Sequence, residues 1–204
     1  MDLQSTAAAL APTVPGTPFE GGFYVGRFLI AGALFALVVS PAAGEATQCM
    51  TWGERGLDVP GADSFFDGAA NTAAMAAAGS ALGKWAQALE INGFSDWYLP
   101  SRDELELIYR HLKPTTEDNW RRCGDNPSSV PAGYPYASQL PAQTTVDAFR
   151  EGSTEALAAE WYWSSTQSSP NDAWFQGFDD GYQVNNDKAY EGRARAVRRF
   201  KLSA

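Results

Sequence analysis

The sequence predicts an α+β domain with small, mostly antiparallel sheets, two main helices and long irregular loops. Three observations carry this. Two β-type apolar runs, "GFYVGRFLI" (22–30) and "LFALVVS" (34–40), flank a short "AGA". A capping box, Ser101 with Glu104, opens an amphipathic segment ended by Pro114. Near the C-terminus, "AWFQGF" and "YQVNN" alternate with period two about the turn signal "DDG" (Asp179–Gly181).

The 204 residues suit one large domain, or one domain with an appendage. Aromatic residues make up 13% of the chain, including seven tryptophans, which suits a fold whose irregular segments are pinned by rings. The net charge of -9 repels nucleic-acid phosphates and anionic membranes, so neither nucleic-acid binding nor membrane insertion is expected. "RARAVRRF" (193–200) runs the other way and reads as a strand that pairs with acidic neighbours inside the fold. Cys49 and Cys123 have no zinc-type spacing, and either a mutual disulfide or two free thiols is compatible with the sequence. The single histidine, His111, falls late in a helix, where a positive charge favours the C-terminus. No catalytic group, metal or cofactor is expected.

In chain order, residues 1–18 are small, polar and Pro-containing, and read as a flexible or partner-docking arm. The apolar run that follows has the look of a secretory signal. It lies more than twenty residues in and lacks a basic start, so the hairpin reading is favoured over a signal or anchor. A Gly/Asp-rich connector leads to an Ala-rich helix with Leu82, Trp85, Ala86 and Leu89 on one face, closed by Asn92-Gly93. "SDWYLP" is extended, and Leu105, Ile108, Tyr109 and Leu112 make the apolar face of the capped helix. Residues 114–160 form a long irregular insertion with one short helix expected around Thr145–Ala158. "EWYWSST" is a strand.

The stretch from Asn171 to Gly192 then reads as a hairpin. Trp174, Gln176 and Phe178 share one face, while Phe175, Gly177 and Asp179 share the other with aromatic and polar neighbours. Three uses fit the pattern: a plain solvated hairpin, a calcium site using Asp179, Asp180 and Asp187, or a contact surface. The calcium loop spacing and its closing glutamate are missing. Aromatics mixed with Asn and Asp make poor core and good contact material.

Taken together, "GFSDWYLPSRDELELIYRHLKP", "WYWSSTQSS", "AWFQGFDDG" and "RARAVRRF" resemble the variable proteins of diversity-generating retroelements. That family has a C-type lectin fold related to formylglycine-generating enzymes and is common in phages and prophages. The resemblance spans about Phe19 to Phe200. It implies a ligand-binding domain over 19–204 with a variable region at about 164–192. Its ligand-contacting, diversified positions would be Ser168, Asn171, Asp172, Phe175, Gly177, Asp179, Asp180, Tyr182, Val184, Asn185, Asn186, Asp187, Ala189 and Tyr190. The scaffold would be Trp163, Ser164, Ser165, Trp174, Gln176, Phe178, Gly181, Gln183, Arg193, Arg195 and Arg198. The enzyme relatives need a reactive cysteine pair near the end of the chain, where this sequence has none. The expected role is a receptor-binding protein at a phage tail or fibre tip that contacts a bacterial cell-surface protein or glycan. Its N-terminal arm would dock virion proteins or sister chains in a homo-oligomer. The alternative is a fixed-specificity carbohydrate- or protein-binding module at the bacterial surface or in the periplasm.

Overall fold

The computed structural model describes residues 11–202. The elements in order are β1 (Pro18–Phe19), β2 (Gly22–Ile30), β3 (Ala33–Val39), β4 (Met50–Thr51), α1 (Gly68–Ala77), α2 (Ala81–Gln87), α3 (Arg102–Leu112), β5 (Ser129–Val130), β6 (Trp161–Gln167), β7 (Asp172–Gly177), β8 (Gln183–Asp187), β9 (Glu191–Gly192) and β10 (Val197–Lys201). The main sheet has the order β1-β2-β3-β10, with β5 pairing on β2. A second sheet pairs β4 with β9, and a third has the order β6-β7-β8. All named strand pairs are antiparallel. The architecture is α+β with small sheets and agrees with a C-type lectin fold.

The apolar run near the start is a hairpin. Ile30 pairs with Ala33 across Ala31 and Gly32, both at positive φ (48° and 81°). Turns of this mirror-image kind match the twist of the strands they join. Val25, Phe28, Leu37, Val38 and Val39 of the hairpin are fully buried or nearly so. The expected arm at 1–18 lies outside the described residues for 1–10. From residue 16 onward the chain is already on the domain: Gly16 N–H donates to Tyr24 O, and Pro18 pairs with Phe23. β10 closes the sheet against β3, with Val197 opposite Val39.

The basic stretch 193–200 pairs internally. Arg193 meets Glu45 and Glu160, Arg195 meets Glu45 and Glu155, Arg198 meets Glu20 and Asp96, and Arg199 meets Asp67. These pairs fasten the C-terminal stretch to Glu20, Glu45, Asp67 and Asp96 of the N-terminal half and to Glu155 and Glu160.

The Ala-rich segment forms two helices in place of one. Ala78 caps α1, and Ser80 starts α2 by accepting the Gly83 N–H (3.2 Å) while donating to Trp52 O (2.6 Å). That break lets Met75 of α1 and Leu82 and Ala86 of α2 enter one core. Leu89 lies beyond the helix. Asn92-Gly93 does not cap it: both residues have positive φ and form a tight turn in which Ile91 and Phe94 exchange two backbone hydrogen bonds of 3.0 Å.

α3 carries the capping box and buries the predicted apolar face. It also buries Glu106 and Arg110, because the insertion after Pro114 folds over them, and Glu104, which the start of α1 and Tyr98 cover. Glu106 pairs with Arg110 (2.6 Å) and accepts from Asn126 and Tyr136. Asn119 is the pin of the insertion: its amide donates to the carbonyls of Ala137, Ser138 and Pro141 and accepts from Tyr109 and Lys113. The helix expected around Thr145–Ala158 is only a single 3-10 turn, Asp147–Phe149. Phe149 is drawn into the main core against Phe23 (5.1 Å), and the chain turns away at Glu151-Gly152.

Glu104 accepts from Gly68 N–H (3.1 Å), Ser101 N–H (2.7 Å) and the Tyr98 hydroxyl (2.7 Å). Burial nonetheless raises its pKa from the ordinary 4.5 to about 7, and raises that of Asp103 to about 6. A raised carboxyl pKa means that the folded state holds the proton more tightly. The stabilisation is complete below the unfolded value and is lost as pH rises through the folded one. A glutamine at position 104 can accept both backbone N–H groups and donate to Tyr98. Thermal denaturation from pH 4 to 7.5 will therefore show a flatter fall in stability for Glu104→Gln than for the wild type.

Candidate functional site

The predicted variable region lies on the three-stranded sheet β6-β7-β8. Its pairing is Trp161↔Gly177, Tyr162↔Gln176 and Trp163↔Phe175 on one side of β7, and Phe175↔Val184, Trp174↔Asn185 and Gln176↔Gln183 on the other. Alternation then divides the side chains between two faces.

The face towards the start of α3 is a polar lock. Gln183 donates to Arg102 O (2.8 Å) and Gln176 Oε1 (3.3 Å), and Gln176 donates to Gly181 O (3.3 Å). Trp174 meets Phe65 edge-on at 5.9 Å, and the Arg102 guanidinium lies 4.8 and 4.9 Å from these two rings. Cys123 is buried beneath β8 and accepts the Gln183 N–H (3.2 Å). Its thiol pKa is raised, chiefly by burial, and it is unpaired, as is exposed Cys49.

The opposite face is an aromatic platform. Phe175 stacks on Trp161 at 4.3 Å and on Trp163 at 5.1 Å. Tyr190 meets Phe175 edge-on at 6.0 Å, and Tyr182 touches both Trp161 (6.1 Å) and Trp120 (4.9 Å). Gly177 leaves a notch in the row between Trp161 and Tyr182. A Cβ there would lie 2.6 Å from Asp179 Oδ1. Trp120 and Tyr190 are each 48% exposed, while Trp161, Tyr182 and Val184 are half-buried.

Of the positions expected to contact ligand, Ser168, Asn171, Asn185, Ala189 and Tyr190 are exposed. Asp172, Asp179, Asp180, Tyr182, Val184, Asn186 and Asp187 are half-buried. Phe175 and Gly177 are corrections: Phe175 is 4% exposed and Gly177 is buried. Period two places Phe175 on the same face as Gly177 and Val184, but two tryptophans of β6 cover that part of it.

Several of the polar positions do structural work. Asp187 pairs with Arg55 (2.7 Å) and accepts the Ala189 N–H. Asp180 accepts the Tyr182 N–H (2.8 Å), Asp172 accepts from Ser169 (3.0 Å), and Asn185 donates to Ser168 (2.9 Å). Among the described residues, no group of three or more His, Cys, Asp and Glu side chains could hold a metal ion. Asp179, Asp180 and Asp187 therefore do not converge as a calcium site.

Sequence reasoning did not find Trp120, Trp161 or Lys188. Lys188 is fully buried; its ammonium donates to Leu57 O (2.8 Å) and Gln167 Oε1 (2.6 Å) and lies 4.7 Å from the Trp52 ring. Burial is the largest cause lowering its pKa. A lysine between Asp187 and Ala189 gives no local sign of such burial. Trp120 sits in the irregular insertion, where only its size and apolar character set it apart.

The fold and this platform define a lectin-like ligand-binding domain. Residues 45–198 match the Lcl C-terminal domain family, and the chain belongs to that family. No curated protein matches the chain.

The stack and the rim differ in their expected response to truncation. Phe175→Ala opens a cavity between two tryptophans and will cost about 3–5 kcal/mol, the usual range for a buried aromatic. Tyr190→Ala will stay within about 0.5 kcal/mol, as exposed substitutions generally do. Denaturant melts of the two variants measure the difference.

Proposed function

We propose that the platform of Trp120, Trp161, Tyr182 and Tyr190, with the polar rim of Asn171 and Asn186, is the ligand-contacting face of a receptor-binding protein; Asn185, opposite Trp174, and its partner Ser168 lie on the other face. The observation that carries the proposal is the division of the hairpin. An underside locked by buried Gln176 and Gln183 carries partly exposed rings and amides that have few partners of their own. Aromatics supply contact area at low entropic cost, and amides supply adaptable hydrogen bonds. The protein would sit at a phage tail or fibre tip, its face diversified by a retroelement to recognise bacterial surface targets. Its N-terminal arm would meet virion proteins or sister chains. Many copies on one particle turn weak single contacts into firm adsorption. The reading includes no catalytic step and no cofactor.

A second reading, a fixed-specificity lectin-like module at the bacterial surface, is favoured by one observation. Asp172, Phe175, Gly177, Asp180 and Asp187 are tied into packing or turns, so these positions tolerate few substitutions. The two readings differ in the DNA. Diversification requires a near-copy of the segment encoding residues 160–200, with adenines at the differing positions and a reverse transcriptase gene beside it. The absence of both selects the fixed module.

Binding itself is tested with the combined Tyr182→Ala, Asn186→Ala and Tyr190→Ala variant. Adsorption to target cells will fall at least about tenfold, corresponding to roughly 1.4 kcal/mol. The melting temperature will change far less than for Phe175→Ala. Unchanged adsorption would count against this face.

A further inference from the structure

An open cleft of about 640 Å³ lies between residues 63–66 and residues 127–128, at the start of α3. Its size falls within the range for small-ligand sites. Phe65 and Phe66 line it and are 41% and 43% exposed, an unusual pair of adjacent uncovered phenylalanines. Pro127 adds a third apolar wall. Asp103 lies at its floor, 3% exposed, held by Ser128 Oγ (2.9 Å) and Arg102 (3.2 Å). Asp63 lines the cleft, and Asp125 lies near enough to raise the Asp103 pKa; both are exposed and neither takes part in an ion pair among the described residues.

The sign of a ligand for this cleft follows from the donors that are already used. A helix start ordinarily offers free N–H groups to an anion. Here Arg102 N–H donates to Thr166 Oγ1 (3.0 Å), Asp103 N–H to Phe65 O (2.9 Å) and Glu104 N–H to Ser101 Oγ (3.3 Å). The Ser64 hydroxyl accepts from Phe66 and Asp67 N–H, and the Ser128 hydroxyl donates to Asp103. Arg102, the neighbouring cation, lies within 5 Å of the Phe65 and Trp174 ring centres. Arg102 also pairs with Asp103, so the cleft presents the Asp63 carboxylate, unpaired among the described residues, and the phenylalanine rings. A hydrated metal ion gains little from phenylalanine walls, whereas a cation with alkyl groups matches both features.

We propose that this cleft binds an alkylammonium group, with Phe65 and Phe66 as ring partners and Asp63 as the counter-charge, separately from the hairpin face. The group could belong to a quaternary ammonium compound or to a lysine side chain, and the test distinguishes these sources.

Calorimetric titration of the full chain would use choline, Nα-acetyl-lysine methylamide and the uncharged isostere 3,3-dimethylbutan-1-ol. At least one cationic probe will bind saturably, and the alcohol will bind about fivefold or more weakly. A preference for choline assigns the site to a quaternary ammonium source, and a preference for the lysine amide assigns it to a protein side chain. Phe66→Ala and Asp63→Asn, both at exposed positions, will each weaken the preferred cation by about three- to tenfold. Tyr190→Ala will leave it unchanged, so a failure here is distinct from a failure of the hairpin face. The proposal is overturned if neither cation saturates, if the alcohol binds as well, or if both cleft variants bind like the wild type.

Discussion

The stack of Phe175 on Trp161 and Trp163 is the contact on which the C-terminal sheet depends. Its ring distances of 4.3 and 5.1 Å tie the middle strand to the first across one face. The two tryptophans flanking this sheet are themselves anchored. Trp163 Nε1 donates to Met50 O (3.0 Å), and Trp52 Nε1 donates to Ser164 O (2.9 Å). The sheet is thus fastened to β4 and its neighbours by rings whose polar atoms are satisfied, so their burial carries no unmet hydrogen-bond cost. On the other face the Gln176–Gln183 pair and Arg102 fix the register of β7 against β8. The strands are held by these contacts and not by the exposed side chains of Asn171 and Ala189.

Charge is arranged by the same logic. The chain is acidic overall, yet Arg193, Arg195, Arg198 and Arg199 all pair with carboxylates from other parts of the sequence. Arg195 is almost fully buried and also donates twice to Ser40 O. Buried pairs of this kind give little net stability over an apolar replacement, but losing one partner is costly. They act here as register marks that bring the last strand to the first hairpin. Lys188 plays the matching part after β8, between Leu57, Gln167 and Trp52.

Much of this was legible in the sequence, and the rest was hidden for identifiable reasons. The two hairpins and α3 are local: period-two alternation, the Ser101–Glu104 box and Pro114 each declare themselves within a few residues. The burial of Phe175 is not local, because it depends on Trp161 and Trp163 in another strand. Lys188 reads as a surface lysine until the residues 57 and 167 that surround it are known. The Ala-rich run carries a continuous helical pattern, and its break at Ser80 is stabilised by Trp52 from outside the segment. The helix expected around Thr145–Ala158 is replaced by one 3-10 turn whose Phe149 is fully buried in the main core, a contact with residues far away in sequence. Alternation assigned faces correctly, then, but could not say how deeply each face is covered.

A display library with single substitutions at Asn171, Asn186, Ala189 and Tyr190, and at Phe175, Gln176, Gln183 and Lys188, tests the central claim most directly. Each variant is scored for folded display and for adsorption to target cells. The account predicts that substitutions in the first set keep display while changing adsorption, and that those in the second set lose display. Equal intolerance in the two sets, or adsorption indifferent to the first set, would contradict it.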